Sequence, residues 1–134
     1  MSSVNVLFVC VGNTGRSVMA ERLFRRAAAG RHDARSAGAS PGDVAEPGVV
    51  EALAEVGIDA SDHVPHGLDD ELVAWAELAV AVCDHDVCPV VPGLERRSWP
   101  LPDAWGLPVE RVRPIRDEIA ERVDALVAEL DASS

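Results

Sequence analysis

Val4-Asn5-Val6-Leu7-Phe8-Val9-Cys10-Val11-Gly12-Asn13-Thr14-Gly15-Arg16-Ser17-Val18-Met19-Ala20-Glu21 is the stretch that sets the fold of this chain. Residues 4–9 are a short apolar run rich in β-branched valine and interrupted only by Asn5. That is the pattern of a strand buried on both faces. Residues 10–15 carry two glycines and read as a turn. Helix-favouring sequence then runs from Arg16 to about residue 29. Val18, Met19, Leu23 and Phe24 fall near helical spacing, Glu21, Arg22, Arg25 and Arg26 lie between them, and Gly30 supplies a stop.

The same alternation continues outward. Residues 34–37 read as a second strand, and Ser40-Pro41-Gly42-Asp43 as a turn. A helix is expected over 47–56, with proline in its first turn and Gly57 at its end. Another is expected over 68–77, opened by Asp69 or Asp70. Residues 78–82 read as a buried strand that ends at Cys83. Residues 83–103 form a long segment rich in Pro, Asp and Gly, read as a loop of functional length. The last helix covers 108–131, with Ile115, Ile119, Val123, Leu126 and Leu130 as its apolar stripe. The expectation is one α/β domain over 1–134, doubly wound, with a parallel sheet and helices on both faces.

The 134 residues carry a formal charge of −11, with 12 basic against 23 acidic side chains. That balance argues against nucleic acid or an anionic membrane as partner. The start of the chain lacks the basic and apolar regions of a signal peptide, and no apolar run approaches the roughly 20 residues of a membrane span. A cytoplasmic monomer is expected. Three cysteines do not make a secreted disulfide framework, which leaves them for catalysis or redox chemistry.

The chemistry concentrates in residues 10–17. A turn at the carboxyl end of a strand gathers backbone N–H groups around one point, and the following helix adds its positive end. Val11, Gly12, Asn13, Thr14, Gly15, Arg16 and Ser17 are the expected oxyanion-binding set. Gly12 and Gly15 are read as permitting the tight backbone. Arg16 presents a planar fork of donors to a tetrahedral anion. Cys10 sits where that positive potential peaks, the setting of a nucleophilic thiolate. Ser17 is placed to donate a hydrogen bond to the sulfur, and Asn13 to lock the loop. His63, His66 and His85 are read as solvated, and Trp75, Trp99 and Trp105 as packing residues.

The block from Val6 to Glu21 resembles the active-site segment of the low-molecular-weight protein tyrosine phosphatase superfamily, which includes thioredoxin-coupled arsenate reductases. Arg35-Ser36-Ala37-Gly38, Ile58-Asp59-Ala60-Ser61 and Ile115-Arg116-Asp117-Glu118-Ile119 resemble further family motifs, so the likeness covers nearly the whole chain. It implies a sheet of about four strands. It also implies Cys10 as nucleophile, Arg16 as the anion clamp and Asp103 as general acid. Ala79-Val80-Ala81-Val82-Cys83-Asp84-His85-Asp86-Val87-Cys88-Pro89 resembles the arsenate reductase segment. There a second cysteine, here Cys83, attacks the first, and a third, here Cys88, resolves the disulfide.

The implied function is reduction of arsenate to arsenite, with electrons from thioredoxin or a low-molecular-weight thiol and no bound cofactor. The alternative is a phosphatase that uses Cys10, Arg16 and Asp103. The chain departs from the family pattern in several places. Four residues rather than six separate the cysteine pair, Ala104 follows the aspartate in place of proline, and Gly15 stands where many relatives carry a further cysteine. Some relatives bind potassium through Asn, Glu, Ser and Asp. Asn13, Glu21 and Ser36 match, but the aspartate position falls near Pro65-His66, and no metal is assigned. Residues 40–49 offer no aromatic wall for a phenol, which favours a small inorganic anion.

Overall fold

The computed structural model describes residues 3–83, 91 and 93–133. Four parallel strands form its sheet in the order β2-β1-β3-β4: β1 (Asn5–Cys10), β2 (Asp33–Gly38), β3 (Leu78–Ala81) and β4 (Glu95–Ser98). The helices are α1 (Arg16–Ala28), α2 (Pro47–Glu55), α3 (Asp70–Trp75) and α4 (Val109–Ser133). Val6 to Cys10 and the whole of β3 are buried. A strand buried at every position has both faces covered, which is why these two read as unbroken apolar runs.

The element boundaries follow local chemistry. Ala29 ends α1 in the left-handed conformation and Gly30 continues with φ 87°. Asp69 caps α3 by accepting from the Leu72 N–H at 2.8 Å. That bond, with help from His66, holds the Asp69 carboxyl below the ordinary aspartate range. Ile115, Ile119, Val123, Leu126 and Leu130 of α4 are buried, as the stripe requires. Phe8 meets Phe24 edge to face at 5.7 Å and Trp99 at 5.8 Å, so these three aromatics cluster between β1, α1 and the segment after β4.

One expectation is corrected. Residues 83–103 are not all loop, because Glu95 to Ser98 pair with Leu78 to Ala81 as the fourth strand. The sequence Glu-Arg-Arg-Ser has no apolar pattern because this is an edge strand with three of its four residues exposed.

The strand order positions the chemistry. From β1 the chain moves to one side of the sheet for β2 and to the other for β3 and β4. Ligands of open parallel sheets collect outside the carboxyl ends of the strands where that direction reverses. The reversal here lies between β1 and β3, which end at Cys10 and immediately before Val82 and Cys83.

Candidate active site

The backbone after β1 turns its carbonyl groups outward, one after another. Cys10, Val11, Gly12 and Thr14 accept from the N–H groups of Ala39, Ser40, Gly42 and Glu46 at 2.8–3.1 Å. The Asn13 carbonyl accepts from His63 Nε2 at 2.9 Å, and that of Gly15 from the Met19 N–H at 3.0 Å. Because each peptide unit is planar, carbonyls aimed outward put N–H groups inward. Among the described residues, no backbone carbonyl accepts from the N–H groups of residues 11, 12, 14, 15 or 16. α1 starts at Arg16 with no side-chain cap and no acidic residue in its first turn. Its positive end is therefore open to an anion.

The expected role of the glycines changes. Added Cβ atoms at Gly12 and Gly15 would meet only side-chain atoms, at 3.3 Å or more. The left-handed turn falls on Asn13, with φ 53°, a residue that tolerates it. The glycine the loop needs is Gly38, at the end of β2, where a Cβ would lie 2.6 Å from the Val11 carbonyl oxygen.

A chain of hydrogen bonds then fixes the direction of one proton. The His66 backbone N–H can only donate, and it reaches Asn13 Oδ1 at 2.8 Å. The other amide atom of Asn13 is therefore Nδ2, which donates to Ser17 Oγ at 2.9 Å. The Ser17 hydroxyl hydrogen is left for the Cys10 sulfur, 2.8 Å away. The Asn13 N–H also points at that sulfur, at 3.3 Å. Cys10 is a free thiol, and it, Asn13 and Ser17 are buried. Two donors are therefore aimed at one buried sulfur. The Asn13 carbonyl can only accept, so His63 Nε2 carries the hydrogen. His63 is thus a support of the loop rather than a solvated side chain, a role its position in sequence did not signal.

Cys10, Val11, Gly12, Thr14, Gly15, Arg16, Asp103 and Trp105 line one cavity of about 140 Å³, the scale of a small anion. Arg16 is buried and braced by Nη1 donating to the Leu101 carbonyl at 2.8 Å. Its Nη2 lies 3.8 Å from Asp103 Oδ1, and the Asp103 side chain is 68% exposed. The carboxylate is steadied by the Trp105 N–H at 3.0 Å. Trp105 was expected to pack; instead it is 74% exposed and forms part of the cavity wall. Its spacing two residues beyond Asp103 was the available signal. Trp99 is buried, and Trp75 lies beneath the Arg35 guanidinium at 4.6 Å.

Cys83 is buried and disulfide-bonded, with Sγ 4.0 Å from the carbonyl oxygen of the Val9–Cys10 peptide. In the register Val9↔Ala81, Cys10 shares its side of the sheet with Val82. Cys83 stands two residues beyond the end of β3, at a bend in the chain. Cys88 and His85 lie outside the described residues.

The residues matched to a potassium site do not fit that ion. Asn13 Oδ1 is taken by the His66 N–H, and Glu21 faces Arg22 Nε and Arg25 Nη2 at 3.7 and 3.5 Å. Residues 65 and 66 supply proline and histidine in place of a carboxylate.

A cysteine and arginine closing an amide-lined anion loop at the switch point of a parallel sheet define a cysteine-dependent oxyanion enzyme. The chain belongs to the low molecular weight phosphotyrosine protein phosphatase family, whose pattern it matches over residues 5–134. It is 37% identical over 132 residues to an arsenate reductase of Halalkalibacterium halodurans, covering 92% of this chain and 94% of that one. Its structure is similar to that of a thioredoxin-dependent arsenate reductase of Corynebacterium glutamicum, with a TM-score of 0.81 and 32% identity. That likeness covers 98% of this chain and 64% of the longer Corynebacterium chain. A low molecular weight protein tyrosine phosphatase of T. tengcongensis has a TM-score of 0.76 and 31% identity, covering 95% of this chain and 99% of that one.

Proposed function

We propose that this protein reduces arsenate to arsenite. The observation that carries the reading is the pair of cysteines at the carboxyl ends of β1 and β3, either side of the switch point, with the Cys83 sulfur 4.0 Å from the Val9–Cys10 peptide oxygen. The Cys10 thiolate attacks arsenic while the loop amides and Arg16 hold the arsenate oxygens. Asp103 gives its proton to the departing hydroxide, which leaves as water, and a Cys10–arsenic bond remains. Once the disulfide that Cys83 carries in this structure has been reduced, the Cys83 thiolate attacks Cys10 Sγ. A disulfide forms, the electron pair of the sulfur–arsenic bond stays on arsenic, and arsenite departs. Cys88 attacks Cys83, which frees the Cys10 thiolate. An external dithiol, thioredoxin in this reading, reduces the resulting disulfide.

The test is Cys83→Ser, assayed for arsenate turnover with thioredoxin and with a small thiol in parallel. Arsenate reduction is expected to stop, while hydrolysis of an aryl phosphate, which needs only Cys10, Arg16 and Asp103, persists. Sustained arsenate turnover by the variant would sink the relay. The second reading, a phosphatase, is favoured by Trp105, which gives the cavity an exposed aromatic wall against which a ring can stack.

A further inference from the structure

A second cavity, of about 310 Å³, shares no lining residue with the catalytic one. His63 and His66, the two residues that hold Asn13, form part of its wall. Its charged lining is three guanidinium groups, Arg22, Arg25 and Arg35, against the carboxylates of Glu21 and Asp62. In a chain of net charge −11 that is a local reversal of sign.

Both carboxylates are already engaged. Glu21 lies between Arg22 and Arg25, and Asp62 lies 3.3 Å from Arg22 Nη1. The donors are less completely satisfied. Ser36 is 5% exposed, and its hydroxyl is buried with no hydrogen-bond partner. Arg22 Nε is buried in the same state, since Glu21 at 3.7 Å is beyond hydrogen-bond reach. Arg35 stacks on Trp75, and among the described residues its guanidinium makes no hydrogen bond. Buried polar groups left in this way point to a missing partner. A guanidinium nitrogen can only donate, so the partner is an acceptor, and a metal cation would meet the same N–H groups with the wrong sign.

We propose that this cavity binds a small tetrahedral oxyanion, of the phosphate or sulfate class, against Arg22, Arg35 and the Ser36 hydroxyl. It is a second anion site, separate from the loop at Cys10.

Calorimetric titration of the whole chain with inorganic phosphate in low-chloride buffer tests it. Two sites are expected. Arg16→Ala removes the loop site and leaves the other. Arg35→Ala, a change at an exposed side chain, weakens the second site at least about tenfold, the value of one charge-assisted contact, and leaves the loop site. Ser36→Ala, which removes only a hydroxyl, weakens the same site. A single site in the unaltered protein, or two sites that survive both Arg35→Ala and Ser36→Ala, overturns the proposal. So does stabilisation against thermal unfolding by potassium over sodium chloride that phosphate does not match.

Discussion

Replacing Ser17 by alanine tests the proton chain that ends on the Cys10 sulfur. The hydroxyl stands 2.8 Å from Cys10 Sγ and 2.9 Å from Asn13 Nδ2, and all three residues are buried. Its removal takes one hydrogen bond from the sulfur, worth about 1.5–3 kcal/mol to the reacting thiolate, or roughly 10- to 150-fold in reactivity. It also leaves Asn13 Nδ2 with no acceptor, a cost of about 1–3 kcal/mol to the fold. The first number is read by the rate at which iodoacetamide alkylates Cys10, in a background where Cys83 and Cys88 are serine so that only one thiol reacts. The second is read by urea denaturation. The Asn13 side chain reaches the sulfur only through Ser17. Side-chain effects of Asn13→Ala and Ser17→Ala should therefore fall well short of additive in a double-mutant cycle. Alkylation of Ser17→Ala at the parent rate would refute the assignment of the hydroxyl proton to the sulfur.

Gly38→Ala drives a methyl to 2.6 Å from the Val11 carbonyl oxygen; it should destabilise the protein by about 1–3 kcal/mol in urea denaturation and slow Cys10 alkylation, because the displaced backbone is the anion loop. Trp105→Ala should raise KM for an aryl phosphate several-fold and leave arsenate turnover nearly unchanged, as steady-state kinetics with both substrates would show. Glu55 ties α2 to α4; its carboxyl is held at about 2, chiefly by the Arg113 hydrogen bond and then by Arg116, against an ordinary 4.5. A depressed acid stabilises the fold above its unfolded value and loses that contribution as pH falls through the folded one. Stability measured from pH 4.5 down to about 2 should therefore drop less steeply in Glu55→Gln than in the parent.

The parts of the fold legible in sequence were those where one physical demand dominates. The unbroken burial of β1 and β3, the alanine- and arginine-rich α1 and the apolar stripe of α4 each leave a periodic trace. β4 leaves none, because Glu95, Arg96, Arg97 and Ser98 gain their strand conformation from pairing with β3 at an edge, where three of the four stay exposed. Within the site, Cys10, Arg16 and Ser17 were readable because their chemistry acts between residues close in sequence. The groups that hold the loop from outside were not. Gly38 is needed for lack of a Cβ beside Val11, and His63 and His66 meet Asn13 across 50 and 53 residues. Glu21 was read as part of the polar face of α1 and proved buried, because two arginines come with it. Trp105 reads as a packing residue because a tryptophan has no sequence mark for whether its ring faces the core or a cavity.

The outward carbonyls of the Cys10 loop are tied to Ala39, Ser40, Gly42, Glu46 and His63, and Arg16 is braced by Leu101. Cys10 is near the beginning of the chain, yet Leu101, the last of these supports, follows Arg16 by 85 positions. During synthesis the cysteine therefore emerges long before the pieces that hold its loop. Until the chain has been made through Leu101 and has closed on itself, the sulfur lacks the fixed donors, the Ser17 hydroxyl and the Asn13 N–H, that the finished loop aims at it. Reactivity toward a thiol-directed reagent would then mark completion of the fold, and on a ribosome-bound series of lengthening chains it should rise late and abruptly.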